Sequence, residues 1–232
     1  IFFASNVSIW ERSERMDFSF LDVYGDSFIH GFITTIEVSI VALILSLVLG
    51  VIIAVFRISK VKPLEWFGTA YVEFFRNTPL VIQIFFFYFG LPSIGIDLNK
   101  FLVASFGLSI YTSSFIAEAI RAGIQSVPKG QMEAARSSGL GYVQAMWHVI
   151  LPQAFKIVVP PLGNQFINLV KNSSVLALIA GGDIMYAADE AAVDYDVIPI
   201  YIVVACLYLL LTIPLSLLVN IIEKRWSKQG AR

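Results

Sequence analysis

A single cysteine, Cys206, stands in the chain, inside an apolar run. One thiol builds neither a disulfide framework nor a cysteine metal cluster, so Cys206 reads as a small packed residue. Histidine is almost as scarce. His30 and His148 fall near opposite ends of the apolar region, which excludes a shared dyad or a metal cage and leaves each as an interfacial or core-satisfied side chain. Charge is thin at 14% of residues, where a soluble domain carries about 25%. The net charge of −1 argues against nucleic acid as a partner. No Gly-x-x-x-x-Gly-Lys-Ser/Thr phosphate cradle occurs. A cleavable signal sequence is not visible, because the first fifteen residues carry Glu11, Arg12, Glu14 and Arg15 and lack a long apolar core. Met16 offers a natural start, with residues 1–15 then an upstream extension.

What is present is hydrocarbon. Apolar residues make up 57% of the chain and the mean hydropathy is +0.77. A spanning helix needs about 20 mostly apolar residues, at a rise of about 1.5 Å each across a core of about 30 Å. Five segments qualify: 28–56, 64–90, 101–124, 149–170 and 198–222. The second is interrupted at Asn77-Thr78-Pro79 and the fourth contains Pro160-Pro161. Residues 175–180 are apolar but too short to cross, and read as a partial re-entry or an external helix. The expected architecture is an all-α membrane protein of about five transmembrane helices, broken in spans two and four. Residues 1–27 form an N-terminal extension, 28–225 the transmembrane domain and 226–232 a tail.

Lysine and arginine set the orientation. The first connection holds Arg57, Lys60 and Lys62, the third holds Arg121, Lys129 and Arg136, and the tail holds Lys224, Arg225, Lys228 and Arg232. The other side has Arg12, Arg15 and Lys100, and carries Asp183, Asp189, Glu190, Asp194 and Asp196 between the last two spans. This distribution puts the N-terminus outside and the C-terminus in the cytoplasm.

Polar residues inside the spans are the candidates for function. Pro79 lacks an amide donor and pushes Thr78 away from helical geometry, so span two either kinks or opens a site there. The Pro160-Pro161-Leu162-Gly163 stretch carries the same two readings. Broken helices near the midplane free backbone groups to hold a polar solute. Gln165, Asn168 and Asn172 lie at i, i+3 and i+7, hence on one helical face. They line a solute path or hydrogen-bond between helices. Arg76 grips a carboxylate in bidentate fashion or pairs with Glu73. Thr112 and Ser113 are weaker candidates, because hydroxyls bond their own helix backbone. Glu118 and Arg121 read as a structural pair at i, i+3, and the aromatic run from Phe85 to Phe89 as packing or lipid-facing material.

The least membrane-compatible stretch lies between spans three and four. Residues 133–152 read Glu-Ala-Ala-Arg-Ser-Ser-Gly-Leu-Gly-Tyr-Val-Gln-Ala-Met-Trp-His-Val-Ile-Leu-Pro. The segment resembles the Glu-Ala-Ala loop of permease subunits of ABC-type importers. Glu133, Ala134, Ala135, Gly139, Leu151 and Pro152 match that pattern, with Val149 in place of Ile. Residues 73–83, 117–124, 124–131 and 171–174 are similar to signatures of the polar amino acid branch, so the resemblance covers about residues 28–225. It implies a cytoplasmic coupling helix in which Glu133, Ala134, Ala135 and Gly139 meet an ATPase subunit. It also implies a second permease subunit (homo- or heterodimer), two ATP-binding cassette subunits and an external solute-binding protein. On this reading the chain sits in a bacterial cytoplasmic membrane and is not itself an enzyme. It works by alternating access, holds no cofactor or metal of its own, and leaves ATP to its partners.

Arg76, Thr78, Thr112, Gln165, Asn168 and Asn172 are the expected solute contacts. In relatives that carry basic amino acids, the positions of Gln165 and Asn172 tend to be acidic. Here both are neutral amides, which points to glutamine or glutamate, with cystine or another polar amino acid still open. An ATP-independent secondary transporter or channel is the alternative, and it leaves the Glu-Ala-Ala loop without a task.

Overall fold

The computed structural model describes residues 17–229, all helix and connection with no strand among them. The candidate start at Met16, the charges Arg12 and Arg15, and Arg232 lie outside the described residues. Helix α1, Phe20–Ile58, runs without proline through the most apolar part of the chain and ends where Ser59 turns extended (ψ 145°). Helix α2, Lys62–Asn77, opens on Pro63 in its first turn, where a missing amide costs nothing. It stops before Pro79. Helix α3, Leu80–Phe85, continues through a π-helical turn, Phe86–Gly90, into the short α4, Leu91–Ser93.

Helix α5, Lys100–Ser126, is capped by Asn99, whose side-chain oxygen accepts from the Leu102 amide at 2.8 Å. Two short helices follow, α6 (Lys129–Ser137) and α7 (Tyr142–Ala145), then a π-helical turn, Met146–Ile150. Helix α8, Leu151–Asn172, tightens into a 3₁₀ stretch, Ser173–Ile179. Helices α9 (Ile184–Ala191) and α10 (Val197–Gln229) complete the chain.

Three of these helices, α1, α5 and α10, are long and apolar enough to cross a membrane. The pair α2 and α3–α4 qualifies as a fourth only if the two arms count as one span, and they are bent by 105°. Helix α8 has 22 residues but carries Lys156, Lys171 and four amide side chains after them or between, which lower its apolarity below the other three. The structure also corrects the expectation of a break in span four. Pro160 and Pro161 lie inside a continuous α8. The carbonyls they leave without donors belong to Lys156 and Ile157, both on the exposed side, so the helix bears the two prolines without parting.

The core forms around α1 and α5. Val38, Ala42, Leu80, Ile84, Val103, Ala104, Leu108, Leu169 and Leu176 belong to one buried cluster shared by α1, α3, α5, α8 and the 3₁₀ stretch after it. Small residues permit the contact: Gly50 of α1 sits directly against the Ile116 side chain of α5. The hydroxyls of Ser109, Ser113 and Ser114 return to the carbonyls three residues back, at 2.6–2.8 Å, so a polar α5 costs little in a dry seam. A second cluster gathers Phe20, Phe28, Ile184, Ala187, Ala188, Ala191 and Ile200 at the far end of α1. There a Cβ on Gly31 would stand 2.7 Å from the Asp183 carbonyl oxygen, so only glycine lets α9 dock so closely.

Candidate functional site

The break at Thr78-Pro79 is closed from within. Pro79 cannot donate to the carbonyl of Phe75, and Gln83 does so in its place. Its Nε2 donates to the Phe75 and Thr78 carbonyls at 2.9 and 3.0 Å, from a side chain buried in α3. Asn77 Nδ2 donates to the Glu73 carbonyl at 2.7 Å, and Thr78 Oγ1 to the Phe74 carbonyl at 2.8 Å. Three carbonyls at the end of α2 are therefore taken by side chains, and the expectation that this break leaves them free for a solute is corrected. Gln83 escaped the sequence reading, although its place four residues after a proline that ends a helix was a usable signal.

Arg76 does not pair with Glu73. Its guanidinium lies 5.3 Å from the Phe115 ring centroid, with Nη1 4.0 Å from a Glu118 carboxylate oxygen. Glu118 is a hub rather than half of a pair. Arg121 donates to both of its oxygens, at 2.6 and 3.2 Å, and Arg57 of α1 reaches it as well. Thr112 is buried (2% exposed) and offers no surface to a solute in this structure.

Gln165, Asn168 and Asn172 are each half-buried along α8. None of the three forms a hydrogen bond to another described residue. Their amide atoms are not shut away from the surface, so the row stays open to water, a solute or another chain. The apolar cleft between α1, α8 and α10 takes Phe166, Leu169 and Val170, leaving the amides off it. The break of α2–α3 reaches the same level, since Leu80 and Ile84 share a cluster with Leu169 and Leu176 on either side of Asn172.

At the other end, α6 forms as expected. Pro128 precedes it and Gly139 ends it with φ +86°. The Gly139 amide donates to the Arg136 carbonyl at 3.1 Å and the Leu140 amide to the Ala135 carbonyl at 3.2 Å, a Schellman stop that needs a left-handed residue. Met132 packs against the cluster of Val127, Ile150 and Ala154, and Ala135 is buried. Glu133, Ala134 and Gly139 stay exposed, so of the four expected docking residues Ala135 alone is spent on the chain's own packing. Helix α6 is thus a short ledge with a fixed inner face and a polar outer face. Among the described residues no group of histidine, cysteine and carboxylate side chains could hold a metal ion.

The sequence pattern of the family described as "Binding-protein-dependent transport system inner membrane component" matches residues 46–228. The chain belongs to that family. It is an integral membrane component and a permease subunit, and such subunits do not carry the catalytic chemistry. It is 59% identical, over 91% of its length and 96% of the other, to the "Probable glutamine ABC transporter permease protein GlnM" of Bacillus subtilis (strain 168). It is 37% identical, over 87% of each chain, to the "L-cystine transport system permease protein TcyB" of the same organism. Among solved structures, an amino acid ABC transporter crystallised with histidines matches at 37% identity. That match has a TM-score of 0.84 and covers 90% of this chain and 98% of the other. The inward-facing methionine transporter MetNI shares the fold, with a TM-score of 0.68 at 20% identity, covering 90% and 99%. The all-helical architecture with its three to four candidate spans is that of ABC importer permeases.

Proposed function

We propose that this permease subunit carries glutamine, or glutamate, through an importer whose ATP is hydrolysed on separate cassette subunits. The observation that carries the reading is the row Gln165, Asn168 and Asn172, three half-buried amides without a hydrogen-bond partner among the described residues. Neutral amides present donors and acceptors to a carboxamide or a carboxylate and do not neutralise a cationic side chain. Thr78 lies at the same level and Arg76 borders it; these five residues line the path. Identity with a probable glutamine permease over most of both chains supports the substrate class.

The outer face of α6, with Glu133 and Ala134, docks on a cassette subunit, and Gly139 shapes the turn that ends the ledge. A second permease subunit and an external solute-binding protein complete the assembly, and α8 serves as a further span. The basic residues Arg57, Lys60, Lys129 and Arg136 mark the cytoplasmic side, and Asp189, Asp194 and Asp196 the outer side, with the N-terminus outside. The test is ATPase activity of the reconstituted permease–cassette complex at high free amino acid concentration. Stimulation by glutamine or glutamate and none by arginine is expected, and stimulation by arginine alone overturns the substrate assignment.

A further inference from the structure

A groove of about 800 Å³ runs between α1, α5, the first half of α8 and the π-helical turn before it. Val51, Ile120, Ile124, Val158 and Leu162 wall it, and Trp147 and Lys156 stand on its α8 side. The amides Gln165, Asn168 and Asn172 do not border it, so the groove lies apart from the proposed solute path. Its apolar walls give a polar amino acid nothing to hold both of its charged ends. Helices α1 and α5 are long and apolar enough to cross a membrane, which sets the groove against hydrocarbon. Val51 and Phe155 on its lining are exposed, so the chain itself does not close it.

One charge stands on these walls. Lys156 is the only charged residue among the described lining residues, is exposed, and forms no ion pair with a described residue. Arg121, next to Ile120 on α5, is already held by Glu118 and Gln125. Pro152 and Lys156 are four residues apart and share one row of α8, while Leu151, Phe155, Val158 and Leu162 form the row beside it. The lysine therefore edges an apolar floor, along which its stem can lie while the ammonium reaches the polar level. Trp147, 68% exposed on the same groove, joins an apolar ring to an indole donor, as suits a membrane–water boundary. From Trp147 to Leu162 the helix covers roughly 20 Å, enough for the hydrocarbon depth of one leaflet, about 15 Å.

The occupant must therefore present an anion at one end and hydrocarbon along the rest. A phospholipid with an anionic headgroup has both in that order. We infer that the groove seats an acyl chain of an anionic phospholipid, in the leaflet on the α6 side, with Lys156 at its phosphate. Ile124 and Ala154 line the groove and share a packed cluster with Met132 of α6. The lipid thus touches the support on which the ledge rests.

The experiment uses the permease–cassette complex in phosphatidylcholine vesicles, into which bromine-substituted phosphatidylglycerol or bromine-substituted phosphatidylcholine is titrated. Bromine quenches a nearby indole, and the Trp147 signal is the fluorescence missing from Trp147→Phe. Phosphatidylglycerol should quench Trp147 at about fivefold lower content than phosphatidylcholine, the worth of one lysine near a membrane surface. Lys156→Gln should bring the two lipids level, and Lys156→Arg should keep the preference. Equal quenching by both lipids in the native chain, or a preference untouched by Lys156→Gln, overturns the lipid seat.

No quenching by either lipid shows a protein chain lying over the groove and overturns it as well. Inorganic phosphate, compared with chloride at equal ionic strength, should leave the preference in place. Its loss there makes Lys156 a site for free phosphate and removes the lipid. None of these readings involves an amino acid, so the lipid seat and the substrate reading fail separately.

Discussion

Gln83 stands four residues beyond Pro79 and gives its amide to the carbonyl of Phe75, the acceptor that Pro79 leaves unserved. The same amide holds the Thr78 carbonyl, so one side chain fixes the corner at which α2 turns into α3. Removing it leaves two half-buried carbonyls without that donor, each at up to about 1–3 kcal/mol. Gln83→Leu, which keeps the bulk and loses the donor, should lower the thermal unfolding midpoint in detergent clearly. Asn77→Ala, at an exposed position, should lower it less. Equal effects would show that the corner is held by packing and not by the Gln83 amide.

That corner marks the limit of what the sequence reveals. The long apolar runs gave α1, α5 and α10 because each must bury or face hydrocarbon along its whole length. The loop spacing gave α6, because only a left-handed residue such as Gly139 ends a helix in that way. The two proline sites look alike in sequence and behave differently in space. At Pro79, Thr78 leaves helical geometry and Gln83 waits to take the freed carbonyls, so the chain turns. At Pro160-Pro161 the freed carbonyls lie on the exposed side and α8 continues. Which outcome follows depends on partners that are distant in space, and no local pattern encodes them. Arg57 illustrates the same point. It joins Glu118 from 61 residues away, beside the Glu118–Arg121 pair that the spacing predicts.

Asp183 lies in the connection between α8 and α9, outside the spanning helices, and caps α9 by accepting from the Met185 and Tyr186 amides at 3.2 and 3.3 Å. Burial pushes its carboxyl up to about 6, against those two amides, which hold it down. A carboxyl raised in the folded state above its unfolded value of 3.8 binds its proton more tightly when folded. Its stabilisation is therefore full below pH 3.8 and is lost as pH rises to about 6. The loss is on the order of 3 kcal/mol at about 1.4 kcal/mol per pH unit. Asp183→Asn keeps an oxygen for the cap and cannot ionise. Its unfolding midpoint relative to the native chain should rise between pH 4 and 6 and then level off. Asp183→Ala should lose about 1 kcal/mol of capping at acid pH. A flat difference for the asparagine variant across that range would show that the carboxyl titrates normally.

The ledge of α6 separates docking from folding. Glu133 is exposed and Ala135 is buried against the chain itself. Glu133→Lys should reduce recovery of the cassette subunit on pulldown severalfold with membrane insertion intact. Ala135→Leu should disturb the inner packing and lower the unfolding midpoint, since overpacking costs about 1–3 kcal/mol. Gly139→Val, at φ +86°, should distort the turn and weaken both docking and stability. Normal recovery of the cassette subunit with Glu133→Lys, together with unchanged uptake, would remove the outer face of α6 from the interface.

Selectivity is tested at the amide row. Gln165 and Asn172 are seven residues apart, about two helical turns, and present the same face of α8. Gln165→Glu combined with Asn172→Asp places up to two negative charges beside Asn168. A charge in a low-dielectric path is costly unless an opposite charge meets it. The double variant should therefore lose glutamate first, weaken for glutamine and gain relative preference for arginine by at least tenfold. Whole-cell uptake is filtered through the external solute-binding protein, so the readout is direct binding to the permease–cassette complex, or its stimulated ATPase activity. The two single variants should each shift the profile part of the way, because each adds one charge to the same face. An unchanged profile for glutamine, glutamate and arginine in a folded double variant would take both residues off the solute path. The amides would then serve a neighbouring chain, and the row would be an interface instead of a path.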